Sequence, residues 1–237
     1  MSLTDEISEI RDRSLAALDA SHDYFTNSKT AWRIVQQVVR GGNTFEIRNQ
    51  TTGSQTDGTE IAHLAQQYVT GYLASATFQD FVAIFERFVF EFLTAWLTEY
   101  PRSLAGQQLK FQTVLDAADK SEVMAFVVER EVTGLAYKKV SDWFQYLEKL
   151  VNLGCPSEEL IRQIVEIKAS RDVLVHNSGI VNAIYVSKSG ELARFVAGDK
   201  LELPESYHRQ SWELIKQLVT EVANSAIEKL NSGRSSR

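Results

Sequence analysis

Residues that break or cross-link a chain are scarce in this sequence. Its 237 residues include three prolines and twelve glycines, so few helix breakers are present and long helices are favoured. The single cysteine, Cys155, excludes both a framework of intrachain disulfides and a zinc site built from several cysteines. We expect Cys155 to be a small structural residue near the start of a helix.

No apolar run in the sequence is uniform enough to form a membrane span. The most apolar stretch, residues 81–97, is interrupted by Glu86, Arg87 and Glu91. Residues 1–13 are acidic and amphipathic and lack the apolar core of a signal peptide. We therefore expect a cytoplasmic protein with no membrane partner. The net charge of -6 argues against indiscriminate binding to nucleic acid, although it leaves room for a local basic cleft.

Apolar residues recur at helical spacing along most of the chain and predict one helical domain over residues 1–232. The helix predicted at 78–100 is apolar nearly all round, which is typical of a helix inside a bundle or at a subunit interface. Its Glu86 and Arg87 are expected either to form a buried or interface ion pair or to support a functional groove. The other predicted helices are 3–39 (with a break allowed at 21–27), 59–72, 121–153 (as one long helix or as two with a bend, Gly134 being the candidate kink), 157–176 and 206–230, while 109–115 is of uncertain type.

Three segments lack this helical spacing. Residues 41–58 are polar and rich in Gly, Thr and Asn, which predicts a mobile loop with room for a short strand at 44–48. Two β-branched or aromatic runs flank Lys188-Ser189-Gly190 and predict a small β-hairpin insert over 180–200. Residues 233–237 are expected to form a disordered tail. The fold prediction is therefore an all-α helical bundle with one hairpin insert.

The residues best suited to chemistry lie near the end of the predicted helix 157–176. Arg171 and His176 fall in its last turns, and Asn177 and Gly179 behind them are typical helix-stop residues. A histidine can transfer protons near neutral pH, and an arginine presents a planar fork of donors that suits a phosphate. Together they suit RNA cleavage by the ribose 2′-hydroxyl. This reaction needs no metal when protein groups transfer the protons and stabilise the negative charge of the phosphorane. We accordingly expect no metal ion and no other cofactor.

Helix geometry complicates this pairing. Five residues along a helix turn by about 140°, so Arg171 and His176 do not share a face, whereas Asp172 and His176 do. Two arrangements could still bring these residues into one site. Either the end of the helix unwinds so that His176 can turn, or a second subunit supplies the partner residue across a two-fold axis. Asp172 would then orient His176 or anchor Arg171, and Lys168 would add positive charge. The structural alternative is a histidine favoured by the helix dipole beside a solvated Arg–Asp pair.

The string from Arg171 to Asn177 resembles the signature of the HEPN superfamily (higher eukaryotes and prokaryotes nucleotide-binding). That signature is an arginine, four to six residues with a polar one first, and then a histidine; here Asp172 fills the polar position. The resemblance covers about residues 160–200. The residues after the signature resemble a stand-alone bacterial branch of the family: 177–182, Tyr185, Gly198 and Asp199.

This resemblance implies a helical bundle that forms a homodimer through its signature helices. It also implies metal-independent endoribonuclease activity, often in toxins or in defence against phage, with Arg171 and His176 as catalytic residues and Asp172 in support. We expect Lys168, Asn177 and Tyr185 to contact the RNA. Other members are inactive and serve as nucleotide-, RNA- or protein-binding dimerisation modules, which is the alternative function. An antitoxin or another protein from a neighbouring gene is a further expected partner.

Overall fold

The computed structural model describes residues 1–42, 47–48, 50 and 53–234, and most of these residues are helical. The all-α prediction is therefore confirmed. A two-residue antiparallel ladder pairs β1 (Ile47–Arg48) with β2 (Gln55–Thr56). The helices are α1 (Leu3–Arg40), α2 (Gly58–Gln67), α3 (Ala74–Glu99), α4 (Phe111–Asp116), α5 (Lys120–Ala136), α6 (Val140–Val151), α7 (Glu158–His176), α8 (Ala183–Ser189) and α9 (Glu205–Arg234), with 3-10 turns at Pro101–Leu104 and Gly190–Leu192.

Helix α3 forms the centre of the bundle, and α1, α5, α7 and α9 pack around it. Its phenylalanines recur every three or four residues, so they form one stripe that the neighbouring helices cover. Burying an aromatic side chain of this size is one of the larger apolar gains available to a folding chain. The prediction that this helix is buried is confirmed by the rings that are at most 1% exposed: Phe78, Phe81, Phe85, Phe88 and Phe92.

Two helices are longer than the sequence suggested. Helix α1 continues through 21–27 without a break, because Ser21 and Phe25 both face the core. The helices predicted at 59–72 and 78–100 are joined, since a π-helical segment, Tyr68–Leu73, links α2 directly to α3. Such segments widen a helix by one residue per turn without ending it.

Of the two options predicted for 121–153, the structure has two helices, and the break between them is not at Gly134. Gly134 lies inside α5, and the chain turns at residues 137–139 before α6 begins. The indole N–H of Trp143 donates to the carbonyl of Leu135 at 2.8 Å, which fixes α6 against the end of α5. The uncertain segment at 109–115 forms the short helix α4.

The predicted β-hairpin is wrong, because residues 183–189 form α8 instead. The side chain of Asn182 caps this helix by accepting from the backbone N–H of Tyr185 at 2.9 Å. The buried residues of the segment, Val181, Tyr185 and Ser189, are four apart, which is a helical spacing. Packing has overridden the β propensity of the run, and its β character is limited to an isolated bridge between Ile180 and Lys200.

The two segments predicted to lack order fall partly beyond the structure. Residues 43–46, 49 and 51–52 of the predicted mobile loop lie outside the described residues. Helix α9 runs to Arg234, and residues 235–237 of the predicted tail lie outside the described residues. Within the part of the chain that is described, no helix combines the length and the apolarity that a membrane crossing requires.

Candidate functional site

The predicted signature lies at the carboxyl end of α7, as the sequence indicated. Ser157 caps the start of this helix by accepting from the backbone N–H of Leu160 at 3.2 Å. At the other end, the backbone N–H groups of Asn177 and Gly179 both donate to the carbonyl of Val173, at 3.0 and 3.1 Å. Gly179 has a φ of 78°, the left-handed conformation that ends many helices.

His176 is the last residue of α7, and its side chain is exposed. Among the described residues, no hydrogen bond or ion pair reaches its ring. Two aliphatic side chains close to it in the sequence, Val175 and Ile180, are 47% and 42% exposed. His176 is therefore free to meet a ligand or a second protein surface.

Arg171 points away from that end and towards α3. Its Nη2 donates to Oε2 of Glu86 at 2.5 Å, and its Nη1 donates to Oδ1 of Asp172 at 3.3 Å. The Nζ of Lys168 reaches the other oxygen of Glu86 at 2.7 Å. Glu86 thus forms an ion pair at the interface between α3 and α7, which is one of the two roles expected for it.

Asp172 extends this group of charges to α8. Its carboxylate lies 3.5 Å from Nζ of Lys168 and 3.2 Å from Nζ of Lys188. Three bases thus share two acids, and each side chain keeps between 17% and 45% of its surface exposed. We call Glu86, Lys168, Arg171, Asp172 and Lys188 the α7 ion-pair network. The structure brings together three predicted site residues in this network and leaves His176 outside it.

The other two predicted RNA contacts have structural partners. The side-chain N–H of Asn177 donates to the carbonyl of Ile180. Tyr185 is 1% exposed, its hydroxyl donates to Oε1 of Glu166 at 2.8 Å, and burial raises its pKa. Both side chains contact the segment behind α7, and the expectation that Asn177 and Tyr185 contact RNA stays a prediction.

A buried acid on α7 organises a second network that sequence reasoning missed. The side chain of Glu166 is 5% exposed, and it accepts from Ser170, Tyr185 and Arg194 at Oε1 and from Tyr207 at Oε2, over 2.6–3.2 Å. The guanidinium carbon of Arg194 lies 3.3 Å from the centre of the Tyr207 ring. Burial, and after it the charge of Glu166, raises the pKa of Tyr207. We call these five residues the Glu166 network.

A cleft of about 1050 Å³ opens between the α5–α6 turn, α7 and α8. The α7 ion-pair network reaches it through Lys168, Asp172 and Lys188, whereas Arg171 and His176 do not line it. In a chain whose net charge is -6, the lining is basic. Its charged residues are Lys138, Lys139, Arg162, Lys168 and Lys188 against Glu159, Asp172 and Glu191.

The remaining titratable groups do not gather into a metal site. Within the residues that the structure describes, no group of three or more His, Cys, Asp or Glu side chains could hold a metal ion. His208 is fully buried on α9, and burial followed by the nearby His22 lowers its pKa to about 4. Burial raises the pKa of the Cys155 thiol, which disfavours the reactive thiolate.

Comparison of the chain with protein-family models, with curated proteins and with solved structures gives no match. The resemblance of residues 171–177 to the HEPN signature therefore stays a prediction.

Proposed function

We propose that the protein is a homodimeric HEPN-type endoribonuclease that cleaves RNA by attack of a ribose 2′-hydroxyl, without a metal ion, as a toxin or defence effector. His176 transfers the protons of the reaction, and Arg171 binds the scissile phosphate. Asp172 and Lys168 support Arg171.

The observation that carries this proposal is the state of His176. Its ring is exposed and has no partner among the described residues, although it belongs to a well-formed helix end. A histidine needed only for packing would be covered.

The contacts of Arg171 fit a phosphate-binding role. Glu86 holds one edge of the guanidinium through the 2.5 Å contact, while the 3.3 Å contact to Asp172 is longer and weaker. A phosphate oxygen that reaches the remaining N–H donors would meet a guanidinium that Glu86 and Asp172 already orient. Such preorganisation lowers the cost of binding the developing negative charge.

The separation of these two groups on α7 is the reason for proposing a second subunit. Arg171 turns towards α3, and His176 lies five residues later on another face of the helix. The exposed Val175 and Ile180 give that end of α7 an apolar surface for a second copy of the chain. The two-fold axis would then place Arg171 of one copy near His176 of the other.

Incubation of the purified protein with total RNA in EDTA tests the activity. We expect cleavage by the wild type and a loss of about 100-fold or more in His176→Ala, since proton transfer contributes about that much. His63→Ala is the matched control, because His63 is another exposed helical histidine and lies on α2. Equal cleavage by wild type and His176→Ala, or no cleavage of any RNA by the wild type, contradicts the proposal.

Mixing two inactive variants tests whether the site is shared between subunits. In a heterodimer of Arg171→Ala and His176→Ala, one of the two composite sites has both residues intact. Random exchange of subunits makes about half of the dimers heterodimers. Since each heterodimer has one intact site of two, mixing should restore about a quarter of the wild-type activity. No recovery, although mass spectrometry shows that heterodimers form, would mean that each chain builds its site alone.

A non-catalytic module that binds RNA, a nucleotide or a protein partner is the second candidate. The contacts of Arg171 with Glu86 and Asp172 favour it, because they also tie α7 to α3 as an ordinary structural ion pair does. Expression in a bacterial host separates the two functions. Growth inhibition that Arg171→Ala and His176→Ala both relieve supports the nuclease, whereas binding to RNA without cleavage or toxicity supports the module.

A further inference from the structure

The short helix α4, which lies between α3 and α5 along the chain, has an uncovered apolar face. None of its residues is buried, and among the elements that the structure describes none packs extensively against it. Its apolar side chains Phe111, Val114 and Leu115 are 74%, 43% and 61% exposed. They occupy positions i, i+3 and i+4, so they share one face of the helix. Because apolar side chains of this size gain free energy when they leave water, this face is suited to a protein contact.

The cleft between the α5–α6 turn, α7 and α8 offers a surface of the complementary kind. Ile161 and Val165, one turn apart on α7, and Ile184 on α8 are apolar residues of its lining. Ile184 is 63% exposed, and the other two are half-buried. Basic side chains surround them, since the lining holds five Lys or Arg residues and three acids. A groove of this composition suits an amphipathic helix that inserts anchors at i, i+3 and i+4.

The sizes of the helix and of the cleft also agree. Helix α4 has six residues. A helix of that length is about 9 Å long and, with its side chains, about 10–12 Å wide, so it fills roughly 700–1,000 Å³. The cleft has a volume of about 1050 Å³. One copy of α4 therefore fits in the cleft without leaving a large void.

The charges of the two surfaces are complementary. Residues 111–119 contain two acids, Asp116 and Asp119, and no base, although Lys110 and Lys120 flank them. The cleft lining has a surplus of two bases over its acids, in a chain whose net charge is -6. Complementary charge favours this acidic, apolar segment as the occupant over a neutral or basic helix.

Helix α4 does not reach the cleft of its own chain. Helix α5 lies between them, and its 17 residues extend over about 25 Å. The linker 117–119 spans at most about 10 Å, and α4 itself adds about 9 Å. The sum stops short of Tyr137, which lines the cleft beyond the end of α5. The α4 that fills the cleft must therefore come from a second copy of the chain.

We propose that α4 of each copy docks in the cleft of a second copy, with a two-fold axis that makes the contact reciprocal. The apolar face of α4 lies on the apolar lining, and Asp116 faces the basic side chains. Specific interfaces bury roughly 1,200 Å² or more, and one six-residue helix supplies only part of that area, which favours two helices in two clefts. This contact goes beyond the one proposed at the end of α7, because Val175 and Ile180 do not line the cleft.

Sedimentation velocity of the full chain over a range of concentrations tests the proposal. Phe111→Asp/Leu115→Asp changes the helix and Ile184→Asp changes the cleft. Each variant is expected to lower the self-association constant at least about 10-fold, because the lost apolar contact occurs twice in a reciprocal dimer. The matched control is Ile34→Asp/Tyr72→Asp, whose side chains are 55% and 76% exposed and lie outside both surfaces. Every replaced side chain is exposed, so the thermal midpoints should stay close to that of the wild type.

Disulfide trapping identifies the surfaces that meet. All chains carry Cys155→Ser, which removes the only native thiol. Leu115→Cys chains are mixed with Ile184→Cys chains under mild oxidation, and mass spectrometry identifies the linked species. We expect a disulfide that joins one chain of each kind. Replacing Leu115→Cys by Ile34→Cys, which puts the thiol on α1, should give no such product.

The two measurements together decide the proposal. Weaker self-association in both variants, combined with the mixed disulfide, supports it. A monomeric wild type overturns it, and so does a self-association constant of either variant equal to that of the control. Absence of the mixed disulfide, or a disulfide only between two Leu115→Cys chains, overturns it as well. Neither measurement depends on cleavage of RNA, so a failure here is distinct from a failure of the proposed nuclease.

Discussion

The two polar networks of α7 differ in how completely the protein supplies partners for their charged and hydrogen-bonding groups. The Glu166 network is nearly closed, since the acid is 5% exposed and its four donors all come from the chain. The α7 ion-pair network is open, since Arg171 is 17% exposed, Lys188 is 45% exposed and the bases outnumber the acids. They lie on the same helix, so the difference arises from what covers each of them.

This difference separates a structural role from a binding role. A buried carboxylate with fixed donors holds α8 and the start of α9 against α7, and replacing one partner leaves the others unpaired. A partly exposed cluster with surplus positive charge costs less to rearrange and can accept an anion. We therefore expect changes in the Glu166 network to alter stability, and changes in the α7 ion-pair network to alter binding or catalysis more than stability.

The largest effect is expected from Glu166→Gln. The substitution keeps the size of the side chain but removes the charge opposite Arg194 and leaves a hydroxyl of Tyr185 or Tyr207 without its acceptor. We expect the free energy of unfolding, measured with urea, to fall by about 3 kcal/mol. Glu129→Gln, an exposed acid on α5, is the control and should change it by less than about 0.5 kcal/mol. A loss below about 1 kcal/mol in Glu166→Gln would remove the distinction between the networks.

A second prediction compares a buried histidine with an exposed one. The hydroxyl of Thr77 donates to the carbonyl of Leu73 at 2.8 Å, so it accepts from Nε2 of His208, also at 2.8 Å. Nδ1 of His208 is buried and has no partner among the described residues, which favours the neutral ring. The pKa of about 4 lies below the value near 6.5 of an unfolded histidine, so between these values the unfolded chain binds the extra proton.

The free energy of unfolding should therefore be highest above pH 6.5 and should fall by up to about 3 kcal/mol as the pH drops to 4. Burial also lowers the pKa of His22, which adds a loss of the same sign. Urea titrations at several pH values measure the effect, and His208→Phe should make the profile flatter. His176→Ala, which removes an exposed histidine instead, is the control. A profile of His208→Phe as steep as that of the wild type would contradict the role of His208.

The smallest effect is expected for the pair of Arg171 and Glu86. Their side chains are 17% and 21% exposed, so water screens much of their attraction. A double-mutant cycle with Arg171→Gln and Glu86→Gln should give a coupling of about 1 kcal/mol in urea unfolding. A coupling of about 3 kcal/mol or more would make Arg171 chiefly a structural brace and would favour the binding module over the nuclease.

Local pattern alone was enough to predict much of the fold. Helical spacing of apolar residues identified α7 and the buried α3, and the stop residues Asn177 and Gly179 located the end of α7. These features depend on residues within a few turns of each other, because helical periodicity and helix capping both arise from contacts between residues close in sequence. The signal for α8 was also local: Asn182 is a good cap, and Val181, Tyr185 and Ser189 are four apart. The β propensity of the run concealed it.

The partners of the site residues were beyond local pattern. Glu86 lies 85 residues from Arg171, and Tyr207 lies 41 residues from Glu166, so no spacing along the chain links them. An acid among Ile164, Val165 and Ile167 was a sign of a buried polar group, but its donors were not identifiable. The break at 137–139 likewise depends on the contact of Trp143 with Leu135. No glycine or proline at 137–139 marks this break in the sequence.

The sequence by itself determined that the chain is helical, which helix lies at the centre, and where the Arg171-to-His176 segment ends. Each of these follows from periodicity and capping, which a few neighbouring residues specify. Only the tertiary structure decided that Tyr185 is buried, that Arg171 faces Glu86, and that α6, α7 and α8 enclose a basic cleft. These depend on burial and on charges brought together from distant parts of the chain, and such contacts exist only after the helices have packed.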